Sequence, residues 1–272
     1  MKKFSLFAAV LGIALSACKT VQTTNPGVVG VEREQRVLSF VSEKQLQESA
    51  AQAYAQQLQQ ARSKGTLNKD SVLVARVRTV ANRIIRETRH FRQDAPNWPW
   101  EINVESSPQL NAYVMPGGKI MVYTGLIEKL DLNDAELSAV IGHEIAHALR
   151  EHTRERVSRA YGQELAVAIG AAALGLESGT AQLANAVGQV TFQLPHSREQ
   201  EAESDRIGME LMARSGYDPN AAVSVWRKMS SANPGGPPEM LSTHPSTESR
   251  IRDLEALVPR VAPLYQAAPY KR

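Results

Sequence analysis

The clearest chemical signal in the sequence is the run His143-Glu144-Ile145-Ala146-His147. Asn133, followed three residues later by Glu136, is typical of a helix start, so the run is predicted to lie on a helix. The two histidines then stand one turn apart on the same face, where both imidazoles can bind Zn²⁺. The glutamate lies beside them and can take a proton from water that the metal activates. A chance coincidence on a surface helix is the alternative, but the surrounding apolar residues predict a buried helix, where unpaired polar groups are costly.

A catalytic zinc site needs a third protein ligand and an open coordination position. The acidic stretch from 197 to 205 offers several carboxylates, and helix geometry separates them. Glu201 and Asp205 share one face of a predicted helix. A solvent-exposed stripe on the opposite face is predicted for four charged residues, Glu203, Arg206, Glu210 and Arg214. We therefore predict Glu201 as the third ligand and Asp205 as the acceptor for the second N–H of a ligand histidine. The alternative for Glu201 is an ion pair with Arg198.

Four motifs in this order resemble the HtpX-like and CAAX-prenyl-protease-like family of zinc metallopeptidases (gluzincins). They are Asn111 to Gly118, the run from His143 to His147, Glu201-x-x-Ser204-Asp205, and Ser242-Thr243-His244-Pro245 followed by Arg250-Ile251. The similarity spans roughly residues 73 to 257, and it departs from the family at Ser204, where alanine is usual. Bacterial periplasmic lipoprotein or outer-membrane-assembly proteases are the members that the chain resembles most.

This resemblance implies that His143, His147 and Glu201 hold one zinc ion per chain and that Glu144 is the general base. It also places His244 in the active site, either as a stabiliser of the oxyanion or as a group that fills the metal's open position at rest. A structural alternative is that His244 only starts the last helix.

Two further histidines lie close to these motifs in the sequence. His152 follows His147 by five residues, off the ligand face, and is predicted to lie at the surface. His196 precedes the helix that carries the third ligand, and it could line the cleft. Neither is included in the predicted ligand set.

The elements that must position these groups are mostly helices. Helices are predicted over 41–62 and 71–89, a short strand over 100–104, and a hairpin from the β-prone runs 111–115 and 119–123. The chain after Gly125 is predicted to be mostly helical. Helices beside a small sheet, without alternation of strands and helices, favour an α+β fold. With the resemblance, we expect a mostly helical zincin-like metallopeptidase domain with a small sheet edging the active-site cleft.

The first strand of the hairpin is a candidate docking site for substrate. An extended peptide can add to an exposed sheet edge through main-chain hydrogen bonds. We expect this edge strand at four residues, Asn111, Ala112, Tyr113 and Val114. The alternative is that their side chains only fill the core. The small, apolar run at 165–176 and the residues that follow it to about 190 are predicted to be helical, beside the active site.

The N-terminal residues are typical of an exported protein. Lys2 and Lys3 precede an apolar run that ends near Leu15, and a small-residue cleavage zone follows. Leu15-Ser16-Ala17-Cys18 resembles a bacterial lipobox, which implies a signal peptide over 1–17 and lipidation of Cys18. Ordinary secretory cleavage is the alternative. Lys19 after the cysteine favours the outer membrane, by resemblance to enteric-type lipoproteins.

The predicted organisation is a lipidated N-terminus and flexible tether over 18–40, a metallopeptidase domain over 41–260 and a C-terminal tail over 261–272. The single cysteine in 272 residues excludes a disulfide within the chain and any site that needs several cysteines. Without the two lysines of the signal peptide the chain is almost neutral, and no basic cluster is visible, so a nucleic-acid partner is not expected.

These patterns together predict a zinc-dependent endopeptidase of the bacterial periplasm, anchored to the outer membrane by its lipid. Its expected substrates are extended or misfolded proteins, in particular outer-membrane proteins, and its expected partners include the membrane and the outer-membrane assembly machinery. The competing hypothesis is an assembly factor or chaperone whose zinc site is latent or structural.

Overall fold

The structure is a computed structural model that describes residues 18–39, 41–173, 179–232, 243–244 and 248–269. Several predictions lie outside these residues. They are the signal peptide over 1–17, part of the polar break after the small-residue run, Ser242 and Pro245 beside His244, and the end of the predicted tail.

The described residues form nine helices of five residues or more and five strands. The strands are β1 Cys18–Val21, β2 Gln35–Leu38, β3 Glu101–Glu105, β4 Ala112–Met115 and β5 Lys119–Tyr123. The first five helices are α1 Glu43–Ser63, α2 Ser71–Glu87, α3 Thr124–Lys129, α4 Asp134–Leu149 and α5 His152–Ala173. The others are α6 Gly179–Gln193, α7 Arg198–Arg214, α8 Asn220–Ser231 and α9 Glu248–Ala267. Two single 3₁₀ turns, Thr88–His90 and Ala95–Asn97, lie between α2 and β3. The predicted α+β, mostly helical fold is confirmed.

The main sheet has three strands in the order β3-β5-β4. β4 and β5 form the predicted antiparallel hairpin, with Met115 opposite Lys119. β3 pairs with β5 in parallel, with Ile102 opposite Ile120. The hairpin's first strand, β4, therefore lies at an edge of this sheet.

Side-chain caps start the helices that carry the predicted site. The Asn133 side chain accepts a hydrogen bond from the backbone of Glu136, whose own carboxylate accepts one from the Asn133 backbone. Ser197 and Gln200 make the same reciprocal pair at the start of α7. Such pairs satisfy backbone N–H groups that a helix start leaves free, so both helices begin at defined residues.

Helix α4 lies at the centre of the domain. All its residues from Glu136 to Leu149 are buried. It packs against α2, α7, α8 and strand β4, with the closest association to α7. A helix enclosed on all sides can hold polar groups only where they find partners, and this sets the conditions for the site.

The N-terminal segment (residues 18–39) differs from the predicted flexible tether. β1 and β2 pair as an antiparallel ribbon, and Val29 and Val31 between them lie in the main core, 1% and 3% exposed. The backbone N–H of Val29 donates to the Glu210 carboxylate of α7 at 3.2 Å. Turn-rich polar composition predicted mobility, but the buried valines and the polar contacts hold this segment against the back of α7.

The C-terminal residues also differ from the predicted tail. Helix α9 continues through the expected domain limit at 260 to Ala267, and Val261 is fully buried. The burial of Leu254 and Val261 on one face explains why the helix continues. Among the described helices, none is long and apolar enough to cross a membrane.

Candidate metal centre

Helix α4 brings the two predicted histidine ligands together. The Nε2 atoms of His143 and His147 are 3.0 Å apart, and both residues are buried. Burial lowers the pKa of His147 well below its usual value, so this ring is neutral and carries a lone pair.

Helix α7 places the predicted third ligand opposite these rings. Glu201 is 1% exposed, and its two carboxylate oxygens lie 3.5 Å from His143 Nε2 and 3.4 Å from His147 Nε2. Burial raises the pKa of Glu201, but the neighbouring histidines outweigh it and lower the pKa well below its usual range. The side chain is therefore an ionised carboxylate.

His244 completes the cluster from a distant part of the chain. Its Nδ1 atom lies 3.0 Å from Glu201 Oε1 and 3.2 Å from His143 Nε2. One atom from each of His143, His147, Glu201 and His244 falls within a group in which all separations are at most 4.8 Å.

The spacing of these four atoms fits a tetrahedral metal ion. Zinc-to-ligand bonds of about 2.05 Å in tetrahedral geometry place neighbouring ligand atoms about 3.3 Å apart. The separations between the two ring nitrogens and the carboxylate oxygens run from 3.0 to 3.5 Å. The donor set, two imidazoles and a carboxylate with a third imidazole at the fourth corner, therefore suits Zn²⁺.

Asp205 lies where the sequence predicted it, behind a ligand histidine. Its Oδ1 atom is 3.0 Å from His143 Nδ1. Arg250 of α9 holds the same carboxylate with two contacts of 2.7 Å and also reaches Glu201 Oε2 at 2.7 Å. Burial lowers the pKa of His143, but hydrogen bonds to Asp205 and Glu201 outweigh it and raise the pKa to about 9 in the metal-free protein. The competing ion pair of Glu201 is thus with Arg250, and Arg198 is exposed.

Glu144 stands beside the cluster with a free oxygen. Its side chain is 3% exposed, and Oε1 has no hydrogen-bond partner among the described residues, although His244 Nε2 lies 3.5 Å away. Burial raises the pKa of Glu144 above its usual value. The backbone of Val114 in β4 also hydrogen-bonds to this carboxylate. These contacts put the predicted general base between the ligand cluster and the sheet edge.

Strand β4 occupies the sheet edge, but its surroundings differ from an open docking site. All four of its residues are buried. Helix α6 covers it: the ring of Phe192 meets that of Tyr113 edge to face with centroids 5.0 Å apart. Asn111, just before the strand, is 9% exposed. The edge is therefore next to Glu144 and closed by α6.

His152 corrects the prediction of a surface residue. It is fully buried, and its Nδ1 atom lies 2.8 Å from His147 Nδ1. Helix α4 ends at Leu149, and Glu151 adopts a left-handed backbone conformation with φ 51°. The chain thus reverses and returns His152 to the back of the ligand. A helix continued from His147 would have carried it elsewhere, and no turn residue in the sequence signals the break.

Glu203 and Glu210 correct the predicted solvent-exposed stripe on α7. Glu203 is 6% exposed and Glu210 fully buried. Glu203 contacts His152 Nε2 at 2.9 Å, Arg150 Nε at 3.0 Å, and Arg33. The N-terminal segment covers this side of α7, so the helix has no solvent-facing stripe there. These contacts were not predicted from the sequence because the N-terminal segment was expected to be mobile.

His196 lies at the cleft, as its position before α7 suggested. Its ring centroid is 3.9 Å from that of His147 and 4.7 Å from that of His244. Its nearest hydrogen-bonding group is the Arg156 guanidinium, with Nη1 2.7 Å from Nε2.

The sequence of this chain is similar to those of known metallopeptidases. The family model described as "Peptidase family M48" matches residues 73–258. "Mitochondrial metalloendopeptidase OMA1" of Schizosaccharomyces pombe is 37% identical over 162 residues, which cover 59% of this chain and 47% of that protein. "Metalloendopeptidase OMA1, mitochondrial" of Bos taurus is 35% identical over 207 residues, 71% of this chain and 38% of that protein.

A bacterial relative is similar over a longer part of the chain. "Beta-barrel assembly-enhancing protease" of Escherichia coli is 26% identical over 216 residues, 76% of this chain and 43% of that protein. The chain spans less than half the length of each of these three relatives.

Proposed function

The chain belongs to peptidase family M48, a family that uses zinc, and we propose from this membership and the site geometry that it is a zinc-dependent endopeptidase. The observation that carries the proposal is the close cluster of His143, His147, Glu201 and His244 beside Glu144, whose buried Oε1 has no hydrogen-bond partner among the described residues. The family membership supports hydrolysis of peptide bonds, and the geometry supports the roles proposed below for individual residues.

His143, His147 and Glu201 would hold the zinc ion. When bound, zinc polarises the scissile carbonyl and lowers the pKa of a water molecule. Glu144 takes the proton from that water with its free Oε1 and later delivers a proton to the leaving amine. Its burial, which raises the pKa, suits this second task because the side chain then holds the proton more readily.

His244 regulates access to this chemistry. Its Nδ1 atom lies among the atoms that would hold the metal, 3.0 Å from Glu201 Oε1, and its Nε2 atom lies 3.5 Å from Glu144 Oε1. Water and substrate would need this position, so the ring must move before reaction. Because the ring blocks the resting site, His244→Ala is expected to increase cleavage.

The proposed substrates are extended segments of misfolded or misassembled chains. Such a segment would pair with the edge of β4 through main-chain hydrogen bonds, next to Glu144, once this edge is uncovered. Helix α6 has to move away from Tyr113 and its neighbours to open this edge. Only a flexible, extended peptide fits between a strand and a buried catalytic centre, so folded proteins are excluded.

We further propose a bacterial periplasmic location, with Cys18 lipidated and the protein held at the outer membrane. The lipobox-like residues 15–18 support this, as does similarity to the "Beta-barrel assembly-enhancing protease". By this location, outer-membrane proteins are the natural substrates and their assembly machinery is the natural partner. Labelling with a radioactive fatty acid, in wild type and Cys18→Ser, tests the anchor: the label must depend on Cys18, and equal labelling contradicts it.

The decisive experiment measures zinc content and casein cleavage of residues 19–272 together. Glu144→Gln should keep about one zinc per chain and lose cleavage by about 10²–10⁴-fold. Glu128→Gln, which makes the same change at an exposed position on α3, is the matched control and should behave as wild type. Wild type without zinc, or cleavage that survives in Glu144→Gln, would refute the proposal.

A second candidate function is favoured by the position of His244 in the fourth corner. A site closed at rest also suits an assembly factor or chaperone with a latent zinc centre. Its assembly activity would survive Glu144→Gln, and cleavage would be absent even in His244→Ala. Cleavage in His244→Ala that requires Glu144 rejects this candidate.

A further inference from the structure

We infer that His152 and Glu203 are positioning residues for the zinc ligand His147, and that Arg33 of the N-terminal segment anchors them. This inference rests on the proposed zinc site. The three side chains form one hydrogen-bonded chain that runs from the ligand to a part of the molecule outside the matched family region.

The chain begins at the side of the His147 ring that faces away from the ligand cluster. His147 Nδ1 lies 2.8 Å from His152 Nδ1, and His152 Nε2 lies 2.9 Å from Glu203 Oε2. Both histidines and the carboxylate are buried, so water does not compete for these contacts. Ser204 Oγ, at 3.4 Å from His152 Nδ1, closes the remaining side.

These contacts determine where each proton lies. His147 Nε2 faces His143 and Glu201, so it must be unprotonated to bind metal. A neutral His147 then carries its proton on Nδ1 and donates it to His152 Nδ1. His152 therefore has its proton on Nε2 and donates it to the Glu203 carboxylate, an acceptor that also contacts Arg33 and Arg150. No other arrangement of protons satisfies all three groups.

The carboxylate at the end of the chain is fixed by two arginines. Arg150, which is fully buried, contacts Glu203 Oε2 through Nε at 3.0 Å. Arg33 contacts Glu203 and also Glu155, at 2.7 Å. Arg150 in turn donates to Thr24 Oγ1 at 3.1 Å and to the Arg33 carbonyl at 2.6 Å. The N-terminal segment therefore holds the carboxylate that orients the histidine pair.

A second metal ion is the competing explanation for the histidines at this place. His147, His152 and His196 also have ring nitrogens within 4.8 Å of one another. The 2.8 Å contact of the two Nδ1 atoms is a hydrogen-bond distance, however, and a shared proton occupies the position that a metal would need. His196 instead faces the Arg156 guanidinium, a cation that disfavours a metal nearby.

The test measures zinc affinity by competition with a chelator, and zinc stoichiometry, on the purified full chain. His152→Ala should weaken zinc binding about 10–100-fold, the usual effect of losing a partner that orients a metal ligand. His152→Asn keeps an acceptor near the Nδ1 position and should recover much of that loss. His196→Ala is the matched control: it removes a ring that lies nearer to His147, with centroids 3.9 Å apart against 4.9 Å for His152, but makes no hydrogen bond to it, and it should leave the affinity unchanged.

Folding is followed separately, because His152 is fully buried. The melting temperature of each variant is measured with and without zinc, since a ligand-orienting role reduces the zinc-induced increase while a merely structural role lowers both temperatures equally. If His152→Ala does not fold, Glu203→Gln replaces it and should weaken zinc binding in the same direction.

Two outcomes overturn the inference. One is a zinc affinity of His152→Ala, or of Glu203→Gln if it replaces it, equal to that of His196→Ala. The other is two zinc ions per wild-type chain with one lost in His196→Ala, which would make the three histidines a second metal site. A wild-type chain that binds one zinc while the variants do not differ refutes only this inference. A wild-type chain that binds none refutes the proposed function as well.

Discussion

The close crossing of α4 and α7 at two glycines should control the geometry of the zinc site. A Cβ atom added at Gly208 would lie 2.8 Å from the His143 nitrogen, 2.9 Å from the Gly142 carbonyl carbon and 3.0 Å from the His143 Cα. All three are backbone atoms, which cannot rotate away as a side chain would. Ordinary contacts of a Cβ begin near 3.4 Å, so Gly208→Ala must separate the helices by about 0.6 Å.

This separation acts on stability and on metal binding differently. Forcing a methyl group into a tight contact costs about 1–3 kcal/mol, and the better helix propensity of alanine returns up to about 1 kcal/mol. The free energy of unfolding should therefore fall by up to about 2 kcal/mol. Zinc ligands tolerate shifts of only about 0.2 Å, and Glu201 on α7 would move away from the histidines on α4. We expect zinc affinity to fall at least about tenfold and kcat/KM on the order of 100-fold.

The assays are urea unfolding of the metal-free chain, chelator competition for zinc, and cleavage of casein. Gly188→Ala is the matched control on α6, where an added Cβ meets nothing within 4 Å. It should keep wild-type zinc affinity and gain up to about 1 kcal/mol of stability. If Gly208→Ala binds zinc as tightly as Gly188→Ala does, then the close crossing does not set the ligand geometry, and this reasoning is wrong.

Three further perturbations test the charges and contacts around the site. Arg250→Leu leaves the buried Asp205 carboxylate without its cation, so the unfolding free energy of the metal-free chain should fall by about 3–5 kcal/mol, and by less with zinc bound. Equal losses in urea unfolding with and without zinc would contradict this expectation. Burial raises the pKa of Glu203, but hydrogen bonds such as that from His152 lower it from 4.5 to about 2. The contribution of Glu203 to stability, on the order of 3 kcal/mol, should therefore be complete above pH 4.5 and disappear as the pH falls through about 2. In urea unfolding, the stability difference between wild type and Glu203→Gln should shrink over that pH range. A difference that stays constant would be evidence against this role of Glu203. Phe192→Ala removes the ring that covers strand β4, a contact worth about 0.5–1.5 kcal/mol, so kcat/KM for casein should rise by about 2–10-fold, whereas an unchanged or lower value would mean that α6 does not limit access.

Local rules were sufficient for the parts of the site that one element contains. Four-residue spacing placed His143 and His147 together, and the reciprocal cap at Asn133 set the start of their helix. Helix periodicity in α7 predicted that Glu201 and Asp205 point towards the centre of the domain, and both side chains are buried there. These inferences depend only on helix periodicity, which does not change with the rest of the fold.

Contacts between distant elements were beyond those rules. Glu203 and Glu210 were predicted to be solvent-exposed because the side of α7 away from the site was expected to face water. The protein instead covers that side with the N-terminal segment, in which Arg33, 170 positions before Glu203, pairs with it. The close approach of α4 and α7 at Gly142 and Gly208 was not predictable either, because a glycine within a helical pattern has several explanations.

The buried charges of α7 explain why so polar a helix can lie inside the domain. Three of these carboxylates have a cation from elsewhere in the chain: Arg250 for Glu201 and Asp205, and Arg33 with Arg150 for Glu203. The fourth, Glu210, pairs with Arg214 of the same helix. Buried ion pairs add little net stability, because the desolvation of both charges offsets most of their attraction. What they do supply is direction, since each guanidinium holds a carboxylate in one orientation. Helix α7 is thus fixed from both sides, by the C-terminal helix and by the N-terminal segment, and a displacement of either should be felt first in zinc affinity rather than in folding.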